Sequence, residues 1–126
     1  MSTLHIPATE RTPELLFDFA ANTFSLKGES YPENIAEFFG EPVGKLKEHL
    51  GAQAGQRIAF HFALPYFNSS SAKTIMGLFS LLDQAAEDGN DVLITWTCEE
   101  GDDMQEMGEE FAEDLDAAKF ELKFLE

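Results

Sequence analysis

Apolar and polar residues alternate in several short stretches of the chain, and this period of two is typical of β-strands. The clearest stretch is 57–64, in which four large apolar residues alternate with small or polar ones. Its second face is also mostly small and apolar, so we expect this strand to lie inside a sheet. A hairpin is predicted at 15–19 and 23–26, and two further strands are predicted at 91–98 and 120–124.

Three other stretches place their apolar residues three or four positions apart, as amphipathic helices do. The first is expected to begin at a capping box over 30–33, with a proline in its first turn, and to close at 51–55. Gly40 and Pro42 lie inside this stretch, where they could distort the helix or split it in two.

The second predicted helix follows a loop at 65–71 and ends at the turn 89–90, and the third lies in the acidic stretch 99–116. After a polar lead of about a dozen residues, the order is β-β-α-β-α-β-α-β. Strands that alternate with helices are joined by right-handed crossovers. The predicted fold class is therefore α/β, with a mixed, mainly parallel sheet and an antiparallel edge formed by the opening hairpin.

The composition indicates one independently folding domain over residues 1–126, because 44% of the chain is apolar and 12 residues are phenylalanine. The formal charge of −16, from 24 acidic and 8 basic side chains, repels phosphate backbones and anionic lipid surfaces. We therefore expect neither a nucleic-acid partner nor membrane insertion. Basic proteins would be attracted, unless the charge serves solubility alone.

The start of the chain has no basic and apolar segments of a secretory signal, and no apolar run is long enough to span a bilayer, so a cytoplasmic location is expected. Cys98 is the only cysteine, which rules out an internal disulfide and a multi-cysteine metal site. We expect it to be a buried, small apolar residue. No cofactor or metal site is predicted.

The segment 66–73 (YFNSSSAK) lies between a predicted strand and a predicted helix. Asparagine and serine are preferred helix caps, which explains one such residue but not three consecutive serines. A phosphate here would meet the helix dipole and the free N–H groups of the first turn, so the fold could accept it. Lys73 could reach such a phosphate, although an exposed lysine needs no function.

Four segments in the same order give this chain a resemblance to the SiaC family of bacterial regulatory phosphoproteins. They are 11–14 (RTPE), 27–34 (KGESYPEN), 66–73 (YFNSSSAK) and 108–114 (GEEFAED). The serine segment is also similar to the phosphorylated segment of anti-sigma-factor antagonists. The resemblance therefore implies a STAS-like (SpoIIAA-like) fold.

The resemblance further implies a partner switch without catalysis. A serine/threonine kinase would phosphorylate the loop, a PP2C-type phosphatase would reverse this, and the unphosphorylated form would bind and activate a diguanylate cyclase in cyclic-di-GMP signalling. The family's acceptor follows the loop asparagine, Asn68, and is therefore Ser69, a serine where the family usually has threonine. Ser70 and Ser71 remain alternative acceptors.

The expected partner contacts combine two segments. If the sheet is parallel, the turn at 27–34 opens on the same edge as the serine segment, because the carboxyl ends of parallel strands share one edge. The predicted contact residues are Asn68, Ser69, Ser70, Lys73, Tyr31 and Glu33.

Three alternatives stay open at the level of sequence. One is a STAS-like module that binds a small ligand, and another is a hydrolase in which a loop serine is the nucleophile, served by His5, His49 or His61. The third concerns the stretch 99–116, whose 10 carboxylates form either a solvated helix face or a docking surface for a basic partner. Its spacing is not that of a calcium-binding EF-hand loop.

Overall fold

The computed structural model describes residues 3–125, which form six strands and three helices. In chain order these are β1 (Thr3–Ile6), β2 (Glu14–Asp18), β3 (Thr23–Lys27), α1 (Ile35–Gly51), β4 (Arg57–Ala63), α2 (Ser69–Glu87), β5 (Asp91–Cys98), α3 (Asp103–Ala112) and β6 (Lys119–Phe124). In this described part of the chain, no helix combines the length and the apolar character needed to cross a membrane.

The six strands form one sheet in the order of the chain, β1 to β6. The pairs β1–β2 and β2–β3 are antiparallel, whereas β3–β4, β4–β5 and β5–β6 are parallel. The prediction of a mixed, mainly parallel sheet is thus confirmed. Since right-handed crossovers that all advance in one direction place their helices on one side, α1, α2 and α3 cover the same face of the sheet.

The predicted order lacks the first strand. Residues assigned to a polar lead contain β1, in which Leu4 pairs with Phe17 and Ile6 with Leu15, so that both side chains pack against the core. The prediction failed because β1 has only four residues, and two apolar positions are too few to show a period. The strand forms because it pairs with β2, a contact that the local sequence pattern does not show.

The start of the first helix was also wrongly predicted. Helix α1 begins at Ile35, and its N-cap is Asn34, whose side-chain oxygen accepts a hydrogen bond from the backbone N–H of Glu37 at 3.0 Å. Ser30 is not a cap but lies buried before the helix. Pro42 does not split α1, which runs unbroken for 17 residues. Burial of its apolar side against the sheet outweighs the one backbone hydrogen bond that proline removes.

Aromatic rings dominate the interior between the sheet and the helices. Phe62 stacks on Phe60 with ring centroids 4.4 Å apart and lies 5.4 Å from the indole of Trp96. The Trp96 Nε1–H donates a hydrogen bond to the carbonyl of Met104 at 2.9 Å, which ties α3 to β5. Gly108 lets α3 approach this indole, because a Cβ atom there would lie only 2.6 Å from Nε1.

Cys98 and Asp83 are two titratable groups buried in the protein. Cys98 is buried as predicted, and burial raises the pKa of its thiol. Asp83 on α2 accepts hydrogen bonds from the backbone N–H groups of Asp116, Ala117 and Ala118 at 2.8 to 3.1 Å. Burial alone would raise the pKa of Asp83, but these three donors outweigh it and hold that pKa below its ordinary value. Asp83 thereby holds the turn between α3 and β6 against α2.

Candidate functional site

The three serines stand at the N-terminus of α2, in a segment that we call the serine cap (residues 68–71). Asn68 is the N-cap, and its side-chain oxygen accepts a hydrogen bond from the backbone N–H of Ser71 at 2.9 Å. The helix begins at Ser69, so the predicted loop at 65–71 ends three residues earlier than expected. Capping accounts for the asparagine and leaves the hydroxyl groups of the serines to be explained.

The three serines point in three directions, because successive residues of an α-helix are rotated by about 100°. Ser71 is 0% exposed and faces the core, so its hydroxyl is closed to a kinase in the folded protein. Ser69 and Ser70 are both exposed. A phosphate could be added to either of them without unfolding the helix.

Ser69 and Ser70 nevertheless face different neighbours. At helical spacing, Ser69 shares its face with Lys73 and Met76, and Met76 lines the groove between α2 and α3. Ser70 shares its face with residues 74 and 77, which line the groove between α1 and α2. A phosphate on Ser69 would therefore lie on the side of α2 that faces α3, and a phosphate on Ser70 would lie on the side that faces α1.

The turn after β3 is joined directly to the serine cap. The Ser30 N–H donates to the carbonyl of Tyr66 at 2.9 Å, and the Asn68 N–H donates to the carbonyl of Ser30 at 3.1 Å. The hydroxyl groups of Ser30 and Ser71, both buried, lie 2.8 Å apart in a hydrogen bond. The expectation that segments 27–34 and 66–73 share one sheet edge is thus met by the structure.

The segment 11–14 also contacts the turn after β3. The carbonyl of Arg11 accepts a hydrogen bond from the Tyr31 N–H at 2.7 Å, and the Arg11 guanidinium pairs with the carboxylate of Glu33. Both charged side chains are exposed, and an exposed ion pair adds little to folding stability. The Tyr31 ring meets the ring of Tyr66, which is 47% exposed, with centroids 5.9 Å apart. Two tyrosines and an ion pair thus border the serine cap.

The fourth segment, 108–114, supports the cap from α3. The ring of Phe111 lies 6.1 Å from that of Phe67, the residue just before Asn68, and 5.8 Å from the indole of Trp96. All four segments that carry the resemblance therefore belong to one connected region. In the sequence they are spread over residues 11–114, and the fold brings them together near the carboxyl ends of β3, β4 and β5.

The three histidines form hydrogen bonds with residues outside the serine cap. His5 pairs with Glu14 at 3.1 Å, His49 with Asn22 at 2.6 Å, and His61 with the hydroxyl of Thr97 at 2.7 Å. Burial lowers the pKa of both His49 and His61. Within residues 3–125 no histidine forms a hydrogen bond with the serine cap, so the arrangement that a serine hydrolase needs is not assembled there.

The buried hydroxyl pair gives a direct test of how the cap is held. Ser71→Ala leaves the Ser30 hydroxyl buried without its partner, so we expect it to lower the free energy of unfolding by about 1–2 kcal/mol. The double variant Ser30→Ala/Ser71→Ala removes both groups and should lose less than the sum of the single variants. Urea unfolding of the four proteins measures this, with exposed Ser70→Ala as the control. Additive losses would contradict the pairing.

These features describe a protein with exposed hydroxyl groups on a preformed helix cap within a connected surface. Over residues 6–125 the sequence matches the family model described as "SiaC family regulatory phosphoprotein". The chain belongs to this family. The family is one of regulators, so the prediction that the protein is not itself an enzyme is confirmed, as is the resemblance found in the sequence.

Individual relatives extend over almost the whole chain. An uncharacterized protein of Pseudomonas aeruginosa (strain UCBPP-PA14) is 38% identical over 116 residues, 90% of either protein. The crystal structure of apo-SiaC from Pseudomonas aeruginosa superposes with a TM-score of 0.85 at 34% identity, covering 98% of this chain and 99% of that one. A further match, at a TM-score of 0.88, 33% identity and coverage of 97% and 99%, is to the crystal structure of diguanylate cyclase SiaD in complex with its activator SiaC from Pseudomonas aeruginosa.

Proposed function

We propose that this protein is a phosphorylation-controlled activator of a diguanylate cyclase, in which the neutral form binds the cyclase. The observation that carries the proposal is the exposed hydroxyl of Ser69 at the start of α2, in the region where the four family segments meet. The SiaC of Pseudomonas aeruginosa, which shares this fold, forms a complex with a diguanylate cyclase that it activates. Partner binding is thus supported by a close structural relative.

The partner surface of the proposal is the exposed part of this region. It contains the serine cap with Asn68, Ser69 and Ser70, the neighbouring Lys73, and Tyr31 and Glu33 from the adjoining turn. Tyrosine rings supply a large contact area at little cost in conformational entropy, which suits them to such a surface.

Ser69 is the proposed acceptor on grounds of both position and chemistry. It directly follows the capping asparagine, and the N–H groups of the first helical turn have no partners within the helix. A phosphoryl group placed there would be stabilised by these groups and by the helix dipole. The modification should therefore leave the fold intact and change only what the surface can bind.

The switch needs two enzymes. A serine/threonine kinase would transfer the phosphoryl group to the Ser69 oxygen, and a PP2C-type phosphatase would hydrolyse the ester. The same kind of phosphorylation switch is implied by the likeness of the serine segment to that of STAS-like anti-sigma-factor antagonists. Cyclic-di-GMP synthesis takes place on the cytoplasmic side of the cell, so the proposed location is the cytoplasm.

Intact-mass spectrometry with peptide mapping tests the proposal. Protein incubated with ATP and the serine/threonine kinase of its own host should gain one phosphoryl group, mapped to Ser69 and removed by the host's PP2C-type phosphatase. Ser69→Ala should gain none, whereas Ser70→Ala should be modified normally. A phosphoryl group that stays in Ser69→Ala, or no modification of the native protein, would contradict the assignment.

A further inference from the structure

Strand β6 forms one edge of the sheet, and its outer side has no neighbouring strand within residues 3–125. The N–H of Leu125 donates a hydrogen bond inward, to the carbonyl of Cys98 at 2.9 Å. Because the backbone groups of alternate residues in a strand face opposite sides, those of Phe120, Leu122 and Phe124 face outward. An edge strand with such groups is a template for pairing with a further strand.

The side chains of β6 that face the helices are apolar and are left partly open at this edge. Phe120 and Leu122 are only partly buried against the core, and Phe124 is 42% exposed. Leu125, directly after the strand, is 59% exposed, more than any other large apolar side chain that the structure describes. Apolar surface of this kind at an open edge indicates a site of contact with another protein chain.

The opposite face of β6 carries charges of alternating sign. Lys119, Glu121 and Lys123 occupy every second position of the strand and therefore lie on one face. Lysines on an edge strand often serve only to prevent pairing with other chains. Here a glutamate stands between the two lysines, so the charges oppose some pairings and favour others.

We propose that β6 pairs with β6 of a second copy of this chain, antiparallel and about a twofold axis at Leu122. In this register Glu121 of each copy lies opposite Lys123 of the other copy, which gives opposite charges across the interface on the open face of the sheet. On the face covered by the helices, Phe120 of each copy lies opposite Phe124 of the other, on either side of the two Leu122 side chains. The six-stranded sheets of the two copies would thus become continuous.

The charges select this register over its neighbours. With the axis at Glu121, this residue would lie opposite its own copy and Lys119 opposite Lys123, and like charges directly opposite each other are destabilising. With the axis at Lys123, two lysines would face each other. With the axis at Phe120, the charges would match, but Phe124 would extend past the start of the other strand. The proposed axis is therefore the one that satisfies the charges and the apolar side chains together.

This inference is independent of the proposed function, because β6 contributes no residue to the proposed partner surface. A strand of six residues is much shorter than the roughly 20–30 residues that each side of a standard interface contains, so we expect a dimer that dissociates on dilution. Two molecules with a charge of −16 also repel each other, and salt screens this repulsion. Association is therefore measured at physiological ionic strength.

Charge reversals on β6 test both the pairing and its register. Glu121→Lys places a lysine opposite Lys123, and Lys123→Glu places a glutamate opposite Glu121, so each variant alone should lose the pairing. In an equimolar mixture, a dimer with one copy of each variant again has opposite charges at both positions. Glu48→Lys and Lys47→Glu, at exposed positions of α1, are the controls with the same changes in net charge. Sedimentation velocity measures association, and thermal melts verify folding.

We expect the native protein and the two α1 controls to reach twice the mass of the 14.0 kDa chain as the concentration rises from about 10 to about 500 μM. Each β6 variant alone should dimerise at least about tenfold more weakly, and their mixture should recover most of this loss. A native protein that stays monomeric over this range, or a mixture that associates as weakly as its components, would overturn the inference. Neither result affects the test of the proposed function, which follows phosphorylation of Ser69.

Discussion

Ser69→Glu is expected to bind the diguanylate cyclase at least about tenfold more weakly than the native protein, whereas Ser69→Ala should bind and activate it normally. A carboxylate at this position must be desolvated against a partner surface that has adapted to a neutral hydroxyl, and burial of an unpaired charge is strongly unfavourable. Alanine adds no charge and removes only the acceptor. Calorimetric titration and cyclase assays of the two variants measure this difference.

The neighbouring serine provides the control. Ser70 is also exposed but is rotated by about 100° around α2, so Ser70→Glu places the same charge on the α1 side of the cap. Ser70 belongs to the proposed partner surface but not to the face of Ser69, so we expect Ser70→Glu to weaken binding several-fold less than Ser69→Glu does. If Ser70→Glu were as damaging as Ser69→Glu, the effect would belong to charge at the helix start in general, and the assignment to the Ser69 face would be wrong.

Gly108→Ala is expected to lower the free energy of unfolding by about 3 kcal/mol and the melting temperature by about 10 °C. The new Cβ atom would stand 2.6 Å from Nε1 of Trp96 and 2.8 Å from Cε2, so either α3 or the indole must move. Movement of the indole would break its hydrogen bond with the Met104 carbonyl and disturb the rings packed around it. This loss exceeds the gain of up to about 1 kcal/mol that alanine brings to a helix.

Gly77→Ala on α2 is the matched control for that variant. A Cβ atom at this exposed helical glycine would meet nothing within 4 Å, so only the gain in helix propensity remains. We expect its melting temperature to equal or exceed that of the native protein. Thermal melts followed by circular dichroism and tryptophan fluorescence compare the two, and a native-like Gly108→Ala would contradict the tight approach of α3 to Trp96.

The strands in which apolar and polar residues alternate regularly were the part of the fold that the sequence predicted most accurately. The stretches at 57–64, 91–98 and 120–124 coincide with β4, β5 and β6 within one residue, because one face of each packs against the helices. The parallel arrangement then followed from the intervening helices. Here local pattern and tertiary burial agree, which is the condition under which sequence patterns predict structure.

The predictions failed where contacts between distant parts of the chain determine the local structure. Segment 30–33 has the spacing of a capping box, yet Ser30 forms hydrogen bonds with Tyr66 and Ser71, more than 35 positions further along the chain. No local pattern contains that information. For the same reason the sequence left Ser70 and Ser71 open as alternatives to Ser69, whereas the structure shows that Ser71 is buried.

Among the charged residues of the site, individual residues were predicted but their contacts were not. Glu33 was predicted from the resemblance, but its ion pair with Arg11 joins residues 22 positions apart and was not foreseen. The acidic stretch 99–116 was noted as a docking surface or a solvated face. In the structure, helical geometry turns some of these carboxylates toward the α2–α3 groove and others away from it.

The central claim is that one phosphoryl group on Ser69 controls binding to the cyclase. The most direct measurement compares native protein that is stoichiometrically phosphorylated at Ser69, verified by intact mass, with the same protein after phosphatase treatment, in calorimetric titrations against one cyclase preparation. The account predicts that phosphorylation weakens binding by at least about a hundredfold, which corresponds to about 2.7 kcal/mol, while thermal melts of the two forms remain similar. Equal affinities would contradict the account, and tighter binding of the phosphorylated form would reverse its sign.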